Sequence, residues 1–315
     1  MRNYILKRIF TAVILIFIIT VINFILINLA PGNPVDAMID PNASQEVIQL
    51  KKEALGLNGP LYVRYFKWLI NVLHGNLGYS MTTYQPVSQM ISYRIMPTLI
   101  LNFLSLLIGF AIAIPLGIAS AVRQYSKFDS AVTSAFLIGM STPSFVFALL
   151  FIFLFSVTFR ILPSSGMYTI GSSNILDRIR HLILPVVVLS IGTASSDTRF
   201  VRTCMLDVLG ENYLRTARSK GLKEFTVIHR HAFRNALNPI VTITGTQVAS
   251  LLGGSVVVEQ IFSWPGLGQL TYQSITGRDY TTLMAINLIT SVLVAIAYLL
   301  TDIVYTFIDP RIHYE

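Results

Sequence analysis

Apolar runs long enough to cross a bilayer as helices constrain this chain more than any other feature. They extend from Ile9 to Ala30 and over about Thr98 to Val122, Ala131 to Phe159, His181 to Thr198, Ile240 to Val258 and Leu283 to Ile308. A helix of about 20 residues rises roughly 30 Å, the thickness of a hydrocarbon core. Polar or turn-rich segments separate the runs. One or two soluble domains would suit 315 residues, but not an apolar content of 53% gathered into such blocks, nor a mean hydropathy of +0.65. The expected fold is an all-α membrane protein with six transmembrane helices.

The first run follows a basic start (Arg2, Lys7, Arg8), as a signal peptide would. Its length, and an end at Ile27-Asn28-Leu29-Ala30-Pro31 without a small-x-small pattern, make it a retained first helix instead. Six spans put both termini on one side. If that side is the cytoplasm, the inner segments hold Arg123, Lys127, Arg199, Arg202 and the basic residues from Arg215 to Arg234, whereas the short outer loops hold only Arg160, Arg178, Arg180 and Arg278. Short loops carry the orientation signal, so both termini are expected inside. The segment 31–97 is too polar to span and too long for a bare connection. It is read as a small helical extracytoplasmic subdomain, with helices at Ser44 to Leu55 and Leu61 to Leu73. Tyr62, Tyr65, Phe66 and Trp68 suit either the bilayer interface or the packing of that subdomain. The remainder divides into a five-helix core over 98–308, with a cytoplasmic loop at 199–239, and a tail at 309–315.

Much of the charge in this chain, only 12% of its residues, falls in ENYLRTARSKGLKEFTVIHRHAFRNALNP at 211–239. Glu211 to Lys220 has helical spacing, and Gly221 stands where a helix ends in a left-handed turn. A second helix is predicted from about Lys223 to Leu237, with Phe225, Ile228, Ala232 and Ala236 on one face, stopped by Asn238-Pro239. A net charge of +8 would also suit a nucleic-acid binder, but a loop tied at both ends offers neither stacking aromatics nor a free recognition helix. Contact with anionic lipid accounts for the sign of the charge. A docking knob for a cytosolic partner accounts for its shape as well.

These residues resemble a family, the inner-membrane permeases of bacterial ABC importers in the dipeptide/oligopeptide/nickel group. Arg215-Thr216-Ala217-Arg218-Ser219-Lys220-Gly221 is similar to the loop by which such permeases meet their ATPases, with Arg215 in place of the general glutamate, and His231 to Pro239 matches as well. Pro31-Gly32-Asn33-Pro34, Gly75 to Ser80, Leu252 to Glu259, Phe262 to Gly268, Arg278-Asp279-Tyr280 and Asp309-Pro310-Arg311 extend the resemblance along nearly the whole chain. It implies a type I ABC importer permease fold, a second similar permease (a heterodimer), two cytosolic ATPases carrying ATP and Mg, an extracytoplasmic solute-binding protein, and a place in the inner membrane. A short peptide is the expected solute, with nickel chelates or glutathione as the alternative.

Catalytic equipment is absent from the sequence. There is no Gly-x-x-x-x-Gly-Lys-Ser/Thr loop, so the chain is expected to be no enzyme and to hold no cofactor of its own. His229 and His231 lie on different helical faces and cannot share a metal, and Cys204 is read as an apolar filler. Ser141-Thr142-Pro143 marks a kink rather than a protease serine, since no histidine base stands opposite. In the implied importer, Ala217 and Gly221 act by shape. Arg215, Thr216, Arg218 and Lys220 complete the coupling surface, the cations pairing with an acidic ATPase rim or with lipid headgroups. The passage is assigned to Gly253, Gly254, Ser255 and Asp302, whose carboxylate would cost about 3 kcal/mol in lipid and so should face protein or water. Glu259, Phe262 and Trp264 stand at the outer mouth, as a gate or as loop packing. An ion-coupled carrier working alone would want more buried ionisable residues, and a scaffold would leave the small residues of the fifth run without a purpose.

Overall fold

The computed structural model describes residues 2–29, 59–172, 174–250 and 255–308, with side chains at all of these except 2–5, 238, 246, 248–250 and 302–308. Among them every regular element is helical, apart from an isolated antiparallel bridge between Tyr79 and Pro86. In chain order the elements are α1 (Arg2–Leu29), α2 (Leu61–Leu73), α3 (Val87–Val122), α4 (Lys127–Ser141), and α5 (Ser144–Phe151), which a π-helical turn at Ile152–Thr158 continues. Then follow α6 (Ile175–Leu209), α7 (Asn212–Ser219), and α8 (Glu224–Thr226), which leads through a π-helical segment at Val227–Ala232 into α9 (Phe233–Ser250). Two short helices, α10 (Val256–Ile261) and α11 (Leu267–Thr276), precede α12 (Tyr280–Ile308).

By length and composition α3 and parts of α1 and α12, Leu6–Leu29 and Tyr280–Thr301, are able to cross a membrane singly. The run expected as one span from Ala131 to Phe159 is the pair α4 and α5, bent by 98° at the kink expected at Ser141-Thr142-Pro143. Pro143 has no N–H to continue the ladder, and it holds Thr142 extended at φ −93° and ψ 122°. The expected span at His181 to Thr198 lies within α6, whereas that at Ile240 to Val258 takes in the end of α9 and the start of α10, with 251–254 outside the described residues; α6 and α9 carry more polar residues than α1, α3 or α12.

The parallel pair α3 and α6 forms the spine. Its close approach depends on missing side chains: a Cβ at Gly109 would strike Thr193, and one at Gly117 would strike Val201. On this spine α4 packs against α6, α9 against α6 and α12, and α1 against α12. Pro97, Pro115, Pro185 and Pro239 all lie inside helices. Two boundaries drawn at prolines therefore move: α3 begins at Val87 and passes through Pro97, and the helix expected to stop at Asn238-Pro239 continues to Ser250. Packed neighbours on both sides, with Ala236 and Ile240 fully buried, outweigh the lost hydrogen bond.

Helix α2 occupies the expected Leu61–Leu73. Its inner face packs on α1, where Tyr65 meets Phe24 edge to face and shares a 2.9 Å hydrogen bond with Thr20, while Tyr62 and Phe66 remain exposed. The helix expected at Ser44 to Leu55, and the tail at 309–315, lie outside the described residues.

Candidate coupling surface

The loop between α6 and α9 is an elbow built from local signals. Helix α7 ends in a Schellman turn: Gly221 N–H donates to the Arg218 carbonyl at 2.9 Å, and Leu222 N–H to the Ala217 carbonyl at 3.4 Å. Gly221 sits at φ +74°, a conformation glycine enters without a Cβ clash. Beyond the turn the chain re-enters a helix at Glu224, and its side chain reaches back to Arg218 through two hydrogen bonds of 3.1 and 2.8 Å. That pair is solvated, and it holds the Glu224 carboxyl below and the Arg218 guanidinium above their ordinary pKa values.

The inner side of the elbow is apolar. Leu214, Ala217, Val227, Ile228, Ala232, Ala236 and Ile240 close one cluster with Ile118 and Ala121 from the end of α3 and Val201, Cys204 and Met205 from the end of α6. Ala217 is only 8% exposed, so its small size serves the packing of α7 onto its own chain. Phe225 does not join this face as its spacing predicts; it is 71% exposed. The π-helical segment explains the change. Its i→i+5 bonding turns less per residue than an α-helix, so Val227 and Ile228 point inward together and Phe225, three residues before Ile228, rotates out. There Phe225 stacks on His229, with ring centroids 4.1 Å apart and planes 25° apart. Arg215, Thr216, Arg218, Lys220 and Leu222 are exposed as well, giving a surface of an aromatic stack among cations.

At the far end of the spine, α10 and α11 fold into a cap on α3. Glu259 is fully buried; its carboxylate accepts from the Thr98 hydroxyl and from Gln269 N–H, both at 3.0 Å. Gln269 lies in the first turn of α11, so Glu259 caps that helix from a distance. The Thr98 hydroxyl in turn accepts from Leu267 N–H at 2.7 Å, and the Trp264 indole donates to the Pro97 carbonyl at 3.0 Å. Gly266 is required by space: a Cβ there would collide with the Glu259 carboxylate and the Thr98 hydroxyl. Phe262 and Trp264 are buried in the same cap, and Ser255 caps α10 by accepting from Val258 N–H. Gly253 and Gly254 lie outside the described residues, and Asp302 is described only as part of the backbone of α12.

Comparison with known proteins decides what this elbow belongs to. A family described as "Binding-protein-dependent transport system inner membrane component" matches residues 113–314, and its N-terminal counterpart matches residues 1–102. The chain belongs to this permease family. It is 44% identical over 316 residues, covering all of both chains, to the oligopeptide transport system permease protein AppB of Bacillus subtilis (strain 168). It is 38% identical over 315 residues, again covering both chains in full, to the glutathione transport system permease protein GsiC of Salmonella paratyphi A. A chain of the inward-facing MetNI methionine ABC transporter shares its fold, with a TM-score of 0.59 at 20% identity over 71% of this chain and 98% of that one. The permease is thus the inner-membrane component of an ABC importer, a role in which ATP hydrolysis falls to other subunits.

Three polar centres of the permease were not legible in its sequence. Arg202 of α6 grips Asp129 at the start of α4 through two bonds of 2.7 and 2.8 Å, and Asp129 also accepts from Ser120 and from Tyr125 N–H. Asp279 precedes α12, accepting from Thr282 and, across the chain, from Ser80 and Met81 N–H. Asp197 is fully buried, and it accepts from Gln247 at 2.7 Å and Ser196 at 3.2 Å. Helical spacing links residues of one helix, whereas each of these carboxylates takes a partner from another element.

Proposed function

We propose that this permease forms half of a peptide import pathway and is driven through the 211–239 elbow by a cytosolic ATPase. The similarity to an oligopeptide permease over the full length supports the substrate class, and a single geometric observation supports the coupling. The elbow is rooted in the ends of both spine helices while it presents Phe225, His229 and Leu222 outward, so force applied to its surface passes directly into α3 and α6. The topology that goes with this reading has six spans, both termini in the cytoplasm and an extracytoplasmic subdomain at 31–97. The partners are a second, non-identical permease, two ATPases that bind ATP and Mg, and an extracytoplasmic binding protein.

In this reading Arg215, Thr216, Arg218 and Lys220 steer the ATPase towards the elbow, and Ala217 and Gly221 keep its shape. Gly253, Gly254, Ser255 and Asp302 are assigned to the passage. Glu259, Phe262 and Trp264 frame its outer mouth by fixing the cap rather than by lining a channel, a reading supported by their burial. Glutathione, itself a short peptide, is the second substrate reading, favoured by the 38% identity to GsiC.

Gly221→Pro tests the coupling, because proline cannot adopt φ +74° and removes the N–H given to Arg218. The variant complex is expected to assemble in vesicles but to lose substrate-stimulated ATP hydrolysis. Stimulated turnover at the native rate would sink the coupling role of the elbow.

A further inference from the structure

We propose that the groove between α4 and α6 is a binding site for one anionic phospholipid of the cytoplasmic leaflet, with its phosphate on Arg199 and Arg202 and an acyl chain along Phe136, Leu137 and Met140. The groove encloses about 300 Å³, enough for a phosphoglycerol group and the first part of a chain. Its lining is graded along the helices. Arg199 and Arg202 stand at the end nearer the elbow, and Phe136, Leu137 and Met140 lie further in. Arg199 is exposed and has no carboxylate partner among the described residues. Arg202 turns Nε and Nη2 to Asp129, which leaves the other edge of its guanidinium outside that pair. Asp129 neutralises one of the two cations, so the charged groups around the groove sum to one positive charge.

The order of the lining favours a lipid over a soluble anion, because the cationic end leads into apolar side chains that an acyl chain would cover. Ser195 closes the groove from below: its hydroxyl is fully buried against Gly139 of α4, where a Cβ would collide with it. Leu137 and Met140 are exposed on the open side of the groove, so the rest of the chain continues into surrounding lipid. The leaflet rests on the orientation proposed above, whereas the phosphate and chain contacts do not.

Native mass spectrometry of the complete purified complex tests this, using phosphatidylglycerol, phosphatidylcholine with the same chains, and glycerol 3-phosphate as probes. Phosphatidylglycerol is expected to remain bound, with occupancy lowered about fivefold by Arg199→Gln and largely restored by Arg199→Lys. Equal retention by Arg199→Gln would overturn the site. So would binding of glycerol 3-phosphate as tight as that of the lipid, which would mark a soluble-anion site, or disulfide cross-links between a cysteine at position 137 and the second permease, which would show protein in the groove. Copurification of the ATPase, scored on the same sample, keeps failure of the importer reading separate from failure of the lipid site. Labelling of a cysteine at position 220 from outside the cell would move the groove to the other leaflet and overturn that assignment alone.

Discussion

At the scale of single residues, the cap and the Arg202 clamp each depend on one atom group that has no substitute. Gly266→Ala is expected to lower the melting temperature of the assembled complex, by an overpacking cost of about 1–3 kcal/mol, since the new methyl meets Glu259 and Thr98. Gly192→Ala is the control: nothing lies within 4 Å of a Cβ there, and alanine favours a helix by up to about 1 kcal/mol. Equal melting of the two variants would remove the crowding argument. Arg202→Leu leaves Asp129, only 4% exposed, without its cation, and is expected to cost about 3 kcal/mol in the same assay. Arg218→Ala breaks a geometrically similar pair in water and should leave melting almost unchanged.

Among the elements, legibility in the sequence followed the range of the forces. Helix α2, the end of α7 and the left-handed Gly221 were readable because capping, periodicity and glycine conformation act within a few residues. The exposure of Phe225 was not. It depends on a π-helical turn, which inserts no sequence signal and is fixed by the packing of Val227, Ile228 and Ala232 against α3 and α6. Likewise Glu259 could be placed near an outer loop, but its task as a cap needed Thr98 and the start of α11 to be brought beside it. Prolines were an uneven guide: the kink expected at Pro143 is a bend of 98°, whereas Pro97 and Pro239, read as boundaries, lie inside α3 and α9. Because Phe225 contributes little to the core, Phe225→Ala should leave complex melting within about 0.5 kcal/mol of native. Stimulated ATP hydrolysis should nevertheless fall by tenfold or more. A parallel loss of both would reassign the residue to folding.

For the whole molecule, orientation is the property on which the elbow, the groove and the passage all depend. Cys204 is the only cysteine and is buried, so Cys204→Ala gives a background for placing single thiols. A cysteine at Lys220 is expected to react with an impermeant maleimide only in inverted vesicles, and one at Tyr62 only in intact cells. The opposite pattern would reverse the topology. The elbow also separates two kinds of position on one short loop. Ala217, Val227 and Ala232 are buried in its core and Gly221 makes its turn, so these set its form, whereas Arg215, Lys220, Leu222, Phe225 and His229 have exposed side chains outside that core cluster. Partner choice is therefore transplantable. Exchanging the outward set between two related permeases should exchange the ATPases they recruit, while each keeps its own solute, so a cell can rewire its importers by surface drift without redesigning the machinery beneath.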